Sequence, residues 1–124
     1  MFKWISSSTA TPMLTFTENA ITLNSAAASH FSDTRYVMIG IDEKEGQIAI
    51  RPITRKECEL NLYPKDSLYK LTVGKGYARV TNKSVCAQIQ QLFSCRLDNM
   101  KLPAYYDDNE NLLIAEFLKR GDEV

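Results

Sequence analysis

Apolar and polar residues alternate along several short stretches of the chain, a pattern typical of β-strands with one face in a core and the other in solvent. Residues 13–23 alternate apolar residues with threonines, and the polar pair at positions 18–19 interrupts the alternation. This predicts a bent strand or a tight hairpin. Asn24 and Ser25 follow, and because both are good N-cap residues they predict a short helix over residues 26–31.

A second β-hairpin is the clearest element in the sequence. Two alternating runs, 36–41 and 47–50, flank a charged turn that ends in Gly46, and Pro52 ends the second strand. The following residues, 55–69, are charged and mixed in character. We interpret them as a connector between two halves of the chain.

The second half of the chain repeats the order of elements in the first half. Residues 71–73 and 78–82 match residues 14–16 and 21–25 at a constant offset of 57 residues. The matching is one of pattern, since few letters are identical. It predicts an internal duplication, which decides the architecture if it is present.

The helix and the hairpin recur as well. Lys83–Phe93 carries apolar residues about one helical turn apart, which predicts an amphipathic helix. Residues 102–106 and 112–118, on either side of an acidic turn, predict a second hairpin. We therefore expect an α+β fold in which two related strand–strand–helix–β-hairpin units form a small barrel-like core. The expected divisions are an N-terminal arm (1–12), a first unit (13–53), a connector (54–70), a second unit (71–118) and a charged tail (119–124).

Composition narrows the class of protein. The chain has 124 residues, 44% hydrophobic and 24% charged, which suits one globular domain and leaves no room for a large multidomain enzyme. No stretch approaches the roughly 20 apolar residues of a membrane-spanning helix, so we expect no membrane association. Residue spacing suggests no acid–base pair, nucleophile–base pair or metal cluster. We therefore expect no enzymatic activity, no catalytic residues, no metal site and no cofactor.

The cysteines favour a reducing compartment. Cys58, Cys86 and Cys95 make an odd count, which argues against a disulfide framework and points to the cytoplasm. None of them is spaced like a zinc ligand, and the only histidine, His30, is distant in sequence. Cys86 lies on the apolar stripe of the second-half helix, where we expect a small buried residue.

Charge is segregated along a chain whose net charge is zero. Residues 65–101 carry a net charge of +5, residues 102–124 carry −4, and residues 1–64 carry −1. Such segregation can create a local cationic surface that the neutral total conceals.

A basic strand–helix corner within that stretch is the candidate nucleic-acid-binding site. Lys75, Tyr77 and Arg79 alternate with small residues, so we expect their side chains to share one strand face, and Lys83 opens the following helix. Lys and Arg would neutralise phosphates, and Tyr would pack on a sugar or base. The full candidate set, with the two arginines at the exit of the first hairpin, is Lys75, Tyr77, Arg79, Lys83, Arg51 and Arg55.

The same residues have a plainer interpretation. Cations on the polar face of a half-buried strand are usually just solvated. Arg51 and Arg55 would then pair with Glu57 and Glu59. Overall neutrality favours this alternative, because a DNA-binding protein normally carries net positive charge.

A short bent strand, a brief helix and a charged-turn hairpin together resemble the swapped-hairpin barrel of the AbrB/SpoVT and MraZ families. The residues that carry the resemblance are 22–27 (TLNSAA) and 36–52 (YVMIGIDEKEGQIAIRP), with 71–82 and 102–118 as a second copy. The resemblance implies a small DNA-binding transcription regulator that binds duplex DNA as a homodimer. The 36–52 segment also resembles hairpins of small uncharacterised phage and mobile-element proteins.

The chain departs from those regulators at two places in each half. They usually carry a Gly-Arg pair before the second strand segment and a proline just before the helix. The alternative is therefore a non-enzymatic protein-interaction module of the same fold, which holds a protein partner through the acidic hairpin turn or through an arm containing Trp4. The positions that match the missing signatures are Asn19-Ala20 and Asn24 in the first half, and Gly76-Tyr77 and Thr81 in the second.

Overall fold

The structure is a computed structural model that describes Met1 and residues 11–117. Residues 2–10 of the predicted arm, Trp4 among them, and the predicted tail 119–124 lie outside the described residues. Within the described part the strands are β1 Met13–Phe16, β2 Ala20–Leu23, β3 Tyr36–Asp42, β4 Gln47–Ile53, β5 Tyr69–Lys70, β6 Thr72–Gly74, β7 Tyr77–Thr81, β8 Met100–Asp107 and β9 Leu112–Glu116. The helices are α1 Ser25–Ala28, α2 Arg55–Glu59 and α3 Lys83–Phe93, with 3₁₀ turns at Ser29–Phe31 and Lys65–Ser67.

The strands form one antiparallel sheet that nearly closes into a barrel. Its order is β5-β3-β4-β9-β8-β1-β2-β7-β6. The two ends of this order belong to one bent segment, because only Leu71 separates β5 from β6. On one side of Leu71 the segment pairs with β3 and on the other side with β7, and the Leu71 N–H donates to the Arg35 carbonyl oxygen at 2.8 Å. The expected small barrel-like core is thus confirmed.

Alternation along the strands sends one set of side chains into a single core. In β7, for example, Ala78 and Val80 are buried, whereas Tyr77, Arg79 and Thr81 are exposed. Buried residues of α1 and α3 join the same apolar cluster. The largest fully buried side chains are Phe16, Phe31, Leu14, Ile21, Leu23, Ile48, Ile50, Ile53, Ile89, Leu97, Leu113 and Val37.

The interrupted alternation over residues 13–23 is a tight hairpin. β1 and β2 pair directly, and at the turn the Thr17 hydroxyl accepts hydrogen bonds from the backbone N–H groups of Asn19 and Ala20, at 3.2 and 3.0 Å. These bonds satisfy the turn locally, which explains why a polar pair interrupts the apolar pattern there.

Both predicted helices are present. α3 has the predicted bounds, is capped by the Asn82 side chain, and ends at Ser94, which takes a left-handed conformation at φ 50°. The first-half helix is shorter than predicted, because α1 covers four residues and continues as a 3₁₀ turn through Phe31. Among the described residues no helix combines the length and apolar character needed to cross a membrane.

The sequence pattern does not predict α2, which lies in the connector. Its N-terminus is a capping box, in which the Thr54 hydroxyl accepts from the Glu57 N–H at 3.1 Å and the Thr54 N–H donates to Glu57 Oε1 at 2.9 Å. The Thr-x-x-Glu signal is present in the sequence. The helix has no buried residue, so the apolar stripe by which helices are recognised is missing.

Two strand pairings lie on opposite sides of the ring. One joins β2 to β7 and places Thr22 opposite Arg79, and the other joins β4 to β9 and places Ala49 opposite Ile114. Two strands, β8 and β1, separate these pairings on one side, and β3 and the bent segment separate them on the other. The outward surfaces at the two pairings therefore face in opposite directions.

Asn24 links the first hairpin to α1 through three side-chain hydrogen bonds. Its Oδ1 accepts from the Ala27 N–H and the Met13 N–H, both at 3.0 Å, and its Nδ2 donates to the Thr11 carbonyl oxygen at 3.1 Å. Asn82, the equivalent cap of α3, accepts a single bond from a backbone N–H. One asparagine therefore holds a helix and a strand, and the other holds a helix alone.

We expect Asn24→Ala to lower the free energy of unfolding by about 2 kcal/mol and Asn82→Ala by about 1 kcal/mol, because a lost cap costs about 1 kcal/mol and Asn24 makes further bonds. Urea denaturation followed by circular dichroism measures both losses. Asn24→Asp, which keeps the acceptor and loses the donor, should fall between Asn24→Ala and wild type. Equal losses in the two alanine variants would mean that Asn24 acts only as a cap.

Candidate nucleic-acid interface

A polar row crosses the outward surface of five strands. Arg79 lies directly opposite Thr22 of β2 and Thr72 of β6. Thr22 lies opposite Thr15 of β1, which lies opposite Lys101 of β8. Directly opposed residues on neighbouring strands point to the same face of a sheet. We call this set the Arg79 row: it presents two cations and three hydroxyl groups, and none of its members is a carboxylate.

Arg79 is held over the sheet by two contacts. Its Nε–H donates to Thr22 Oγ1 at 3.3 Å, and its Cζ lies 5.4 Å from the centre of the Tyr77 ring. The ring and the hydroxyl together restrict the guanidinium. The bond to Thr22 uses one of the several N–H donors of the guanidinium group. The remaining N–H donors can bind an oxyanion such as phosphate.

Tyr77 lies against the backbone of the neighbouring strand. A Cβ atom on Gly74, which is directly opposite Tyr77, would overlap the tyrosine ring. Glycine at position 74 therefore makes room for the aromatic ring beside Arg79.

The residues of the predicted strand–helix corner lie along the whole length of β7 rather than together at one corner. Lys75 lies with Gly76 in the turn between β6 and β7, so the prediction that Lys75 shares a strand face with Tyr77 and Arg79 is wrong. Gly76 takes φ 80° there, which the tight turn requires. Lys83 begins α3, beyond the other end of β7. The length of β7, on the order of 15 Å, separates the two lysines.

The barrel brings Arg55 next to β6. A groove of about 790 Å³ is lined by Arg35 from the loop before β3, by Arg55 and Lys56 at the start of α2, and by Val73 of β6. Val73 lies directly opposite the buried Ala78, so it points to the other side of β6 from Thr72, and the groove is separate from the Arg79 row. Among the described residues Asp33 is the one carboxylate in its lining, which leaves the groove an excess of positive charge.

Arg51 lies on the opposite side of the barrel. It is half-buried on β4, directly opposite Met38 of β3. Glu57, one of the two glutamates expected to pair with Arg51 and Arg55 in the plainer interpretation, accepts the Thr54 N–H in the capping box of α2. Burial and the nearby Asp108 raise the pKa of Tyr106, and the positive charge of Arg51 acts in the other direction.

Sequence reasoning missed most of the polar surface. Threonines on the solvent side of an alternating strand carry no signal of their own, and only the register of five strands aligns them with Arg79. One signal was available, because Thr22 and Arg79 are related by the 57-residue offset. The residues missed are Thr15, Thr22, Thr72, Lys101, Arg35 and Lys56.

The thiols and the histidine do not form a reactive centre in the described part of the chain. Cys86 is buried as predicted, and burial raises the pKa of both the Cys86 and the Cys95 thiols, which lowers their thiolate fractions. The His30 ring stacks on Tyr106 with centroids 4.1 Å apart. Within residues 11–117, no group of three His, Cys, Asp or Glu side chains is arranged to hold a metal ion.

No protein-family model matches the chain, and comparison with curated proteins and with solved structures gives no match either. Function therefore has to be inferred from the chemistry of the surface. A barrel-like fold does not by itself define an activity.

Cys86 is expected to be the slowest of the three thiols to react with Ellman's reagent in the folded protein, because it is buried and its pKa is raised. Cys58 lines a cleft of about 170 Å³ beside Arg55, and we expect it to react first. A time course on wild type and on Cys58→Ser assigns the fast phase, and denaturant should make all three thiols react quickly. A fast phase that persists in Cys58→Ser would contradict the assignment.

Proposed function

We propose that the protein is a small DNA-binding regulator of the AbrB/MraZ type that contacts the phosphates of duplex DNA through the Arg79 row. The observation that carries the proposal is the row itself, in which Arg79, Lys101 and three threonine hydroxyls align across five strands. Cationic and hydroxyl side chains are the usual partners of DNA phosphates.

The neighbouring groove supports the same proposal. Arg35, Arg55 and Lys56 line a second cationic surface, the groove beside β6, and Lys75 stands at the tip of the β6–β7 turn. Phosphate contacts of this kind position a protein on DNA without reading the sequence. The proposed contact is therefore to the backbone, and its strength depends on salt.

We also propose that the barrel consists of two related units, residues 13–53 and 71–118. Thr22 and Arg79, which the sequence offset of 57 relates, lie directly opposite each other. A pair of equivalent residues that meet across one strand pairing is the arrangement expected near a local two-fold axis. Only the second unit has a cation at this position, because the residue of the first unit that is equivalent to Arg79 is Thr22.

The hairpins give independent support for the two units. Asp42 opposite Gln47 in the first hairpin corresponds to Asp107 opposite Leu112 in the second, with an offset of 65 residues for both positions. The same offset relates Ala49 of β4 and Ile114 of β9, which lie directly opposite each other in the β4–β9 pairing. The extra eight residues, relative to the offset of 57, lie between β7 and β8, where α3 is longer than α1.

Binding to random duplex DNA across a salt titration tests the proposed DNA contact. With three phosphate contacts, the slope of log affinity against log salt should be roughly −2.7. In Lys75→Ala/Arg79→Ala the slope should shrink by roughly 1.8, because two contacts are lost. Fluorescence anisotropy of a labelled duplex gives both slopes.

A matched control removes the same charge from another surface. Lys44 lies in the β3–β4 turn and Lys65 in a 3₁₀ turn, and both are exposed. Lys44→Ala/Lys65→Ala should leave the slope close to that of wild type. An equal reduction in both double variants would mean that only net charge matters, and undetectable binding at low salt would reject the regulator proposal.

The alternative proposal is a non-enzymatic protein-interaction module with no nucleic-acid binding. The net charge of zero favours it. The same titration separates the two proposals, because a module of this kind gives no salt-dependent DNA binding. Under either proposal we expect the chain to act as a homodimer.

A further inference from the structure

A second row, of apolar character, crosses the outward surface of β3, β4, β9 and β8 and is centred on the β4–β9 pairing, across the ring from the β2–β7 pairing that carries Arg79. Ala49 lies directly opposite Gly40 of β3 and Ile114 of β9, and Ile114 lies opposite Tyr105 of β8. Because their strand neighbours Ile48, Ile50, Leu113 and Ala104 are buried, these four residues face outward. We call them the Tyr105 row: Gly40, Ala49, Ile114 and Tyr105.

The side chains of this row increase in size from one end to the other. Gly40 is exposed, and a Cβ atom placed on it would meet nothing within 4 Å, so the space over it is open to a partner's side chain; we call this space the hollow. At the other end Tyr105 is 51% exposed. A groove of about 280 Å³ beside it is lined by Pro103 and Ile114. The row therefore has a hollow at one end and a protruding aromatic ring at the other.

We propose that two copies of the chain associate through the Tyr105 row, about a two-fold axis that runs parallel to the strands between β4 and β9. This inference rests on the proposed homodimer and is independent of DNA binding. Such an axis reverses the row, so Tyr105 lies over the partner's Gly40 and Ile114 lies over the partner's Ala49. Each large side chain then meets a small one, as in a well-packed interface between two sheets.

The size order selects this axis over the other one that a face-to-face dimer allows. An axis along the row would place Tyr105 on the partner's Tyr105 and Gly40 on the partner's Gly40. One end would then be crowded and the other empty. Curvature of the barrel also favours the proposed axis, because the outer strands bend away from the partner, and a long side chain such as tyrosine is needed to bridge the gap.

Charged residues beside the row are compatible with the same axis. Arg51 and Asp107 face outward two residues further along β4 and β8. The axis brings Arg51 within one strand spacing, about 5 Å, of the position over which the partner's Asp107 stands. On the other flank Gln47 faces the partner's Glu116. Arg51, which lies far from the Arg79 row, thus gains a structural role.

Sedimentation equilibrium tests the association, and a size swap tests its geometry. Wild type should sediment at about 28 kDa, twice the chain mass of 14.1 kDa. Gly40→Tyr should raise the dimer Kd about tenfold or more because two tyrosines collide, and Tyr105→Ala should weaken the dimer by leaving the hollow empty. An equimolar mixture of the two variants should recover dimer, because each new tyrosine then meets an alanine.

Two controls keep the test independent of folding. Leu60 is 59% exposed on the end of α2, outside the row, and Leu60→Ala should sediment like wild type. Circular dichroism melts should be similar for all variants, because Gly40 and Tyr105 are exposed. A monomeric wild type overturns the proposal, and a mixture that dimerises no better than its separate components overturns the axis.

The DNA salt titration on Gly40→Tyr separates this inference from the proposed function. The two rows meet only on β8, where Lys101 and Tyr105 are four residues apart, and the proposed axis at β4–β9 lies across the ring from the β2–β7 pairing that carries Arg79. Loss of the dimer should therefore leave the salt slope per chain unchanged. Wild type that dimerises without binding DNA would support the interface and reject the regulator. Wild type that binds DNA as a monomer would support the regulator and reject the interface.

Discussion

Closure of the sheet depends on one bent segment, and the rest of the barrel depends on that closure. Residues 69–74 pair with Tyr36 and Val37 of β3 before Leu71 and with β7 after it, so a single short segment joins the two edges of the sheet, although it covers only the first two residues of β3. Leu71 is buried at the bend, and its N–H is bonded to the Arg35 carbonyl oxygen. Without this segment β3 and β7 would each present a row of unpaired backbone groups, which is costly and prone to edge-to-edge association. The loop that carries Arg35 is fixed by the same contact, so closure also shapes the cationic groove.

Closure of the barrel leaves the outward-facing residues free to differ from one strand pairing to the next. Inward positions are committed to the core, where residues such as Ile48 and Val80 are fully or almost fully buried. Outward positions alternate with them and carry no such constraint. The β2–β7 side has threonines and Arg79, whereas the β4–β9 side has Ala49 and Ile114. Because these two pairings lie across the ring from each other, a ligand at Arg79 and a partner at Ala49 approach from different sides.

The surface charge of the molecule depends on how charged residues are distributed between its outward surfaces rather than on its net charge. A chain with zero net charge can still present a cationic surface when the carboxylates lie elsewhere. One group of carboxylates lies in the acidic turn between β8 and β9, where Asp107 Oδ1 accepts hydrogen bonds from the backbone N–H groups of Asn109 and Glu110. Arg79 lies among hydroxyl groups and an aromatic ring instead. Within residues 11–117 its guanidinium is therefore oriented by a hydroxyl group and a ring rather than by a carboxylate.

Local sequence patterns were enough to predict the elements that depend on neighbouring residues. Alternation of period two located the hairpins, and the apolar stripe located α3 to the residue, because these signals are local. These patterns did not reveal α2, which buries nothing, and they could not decide between a bent strand and a hairpin at residues 13–23. Tertiary structure alone decided the register of the sheet. That register placed Thr22 beside Arg79, moved Arg51 to the opposite face, brought Arg55 next to β6 and aligned Gly40 with Tyr105, through contacts between residues far apart in the chain that no local pattern specifies.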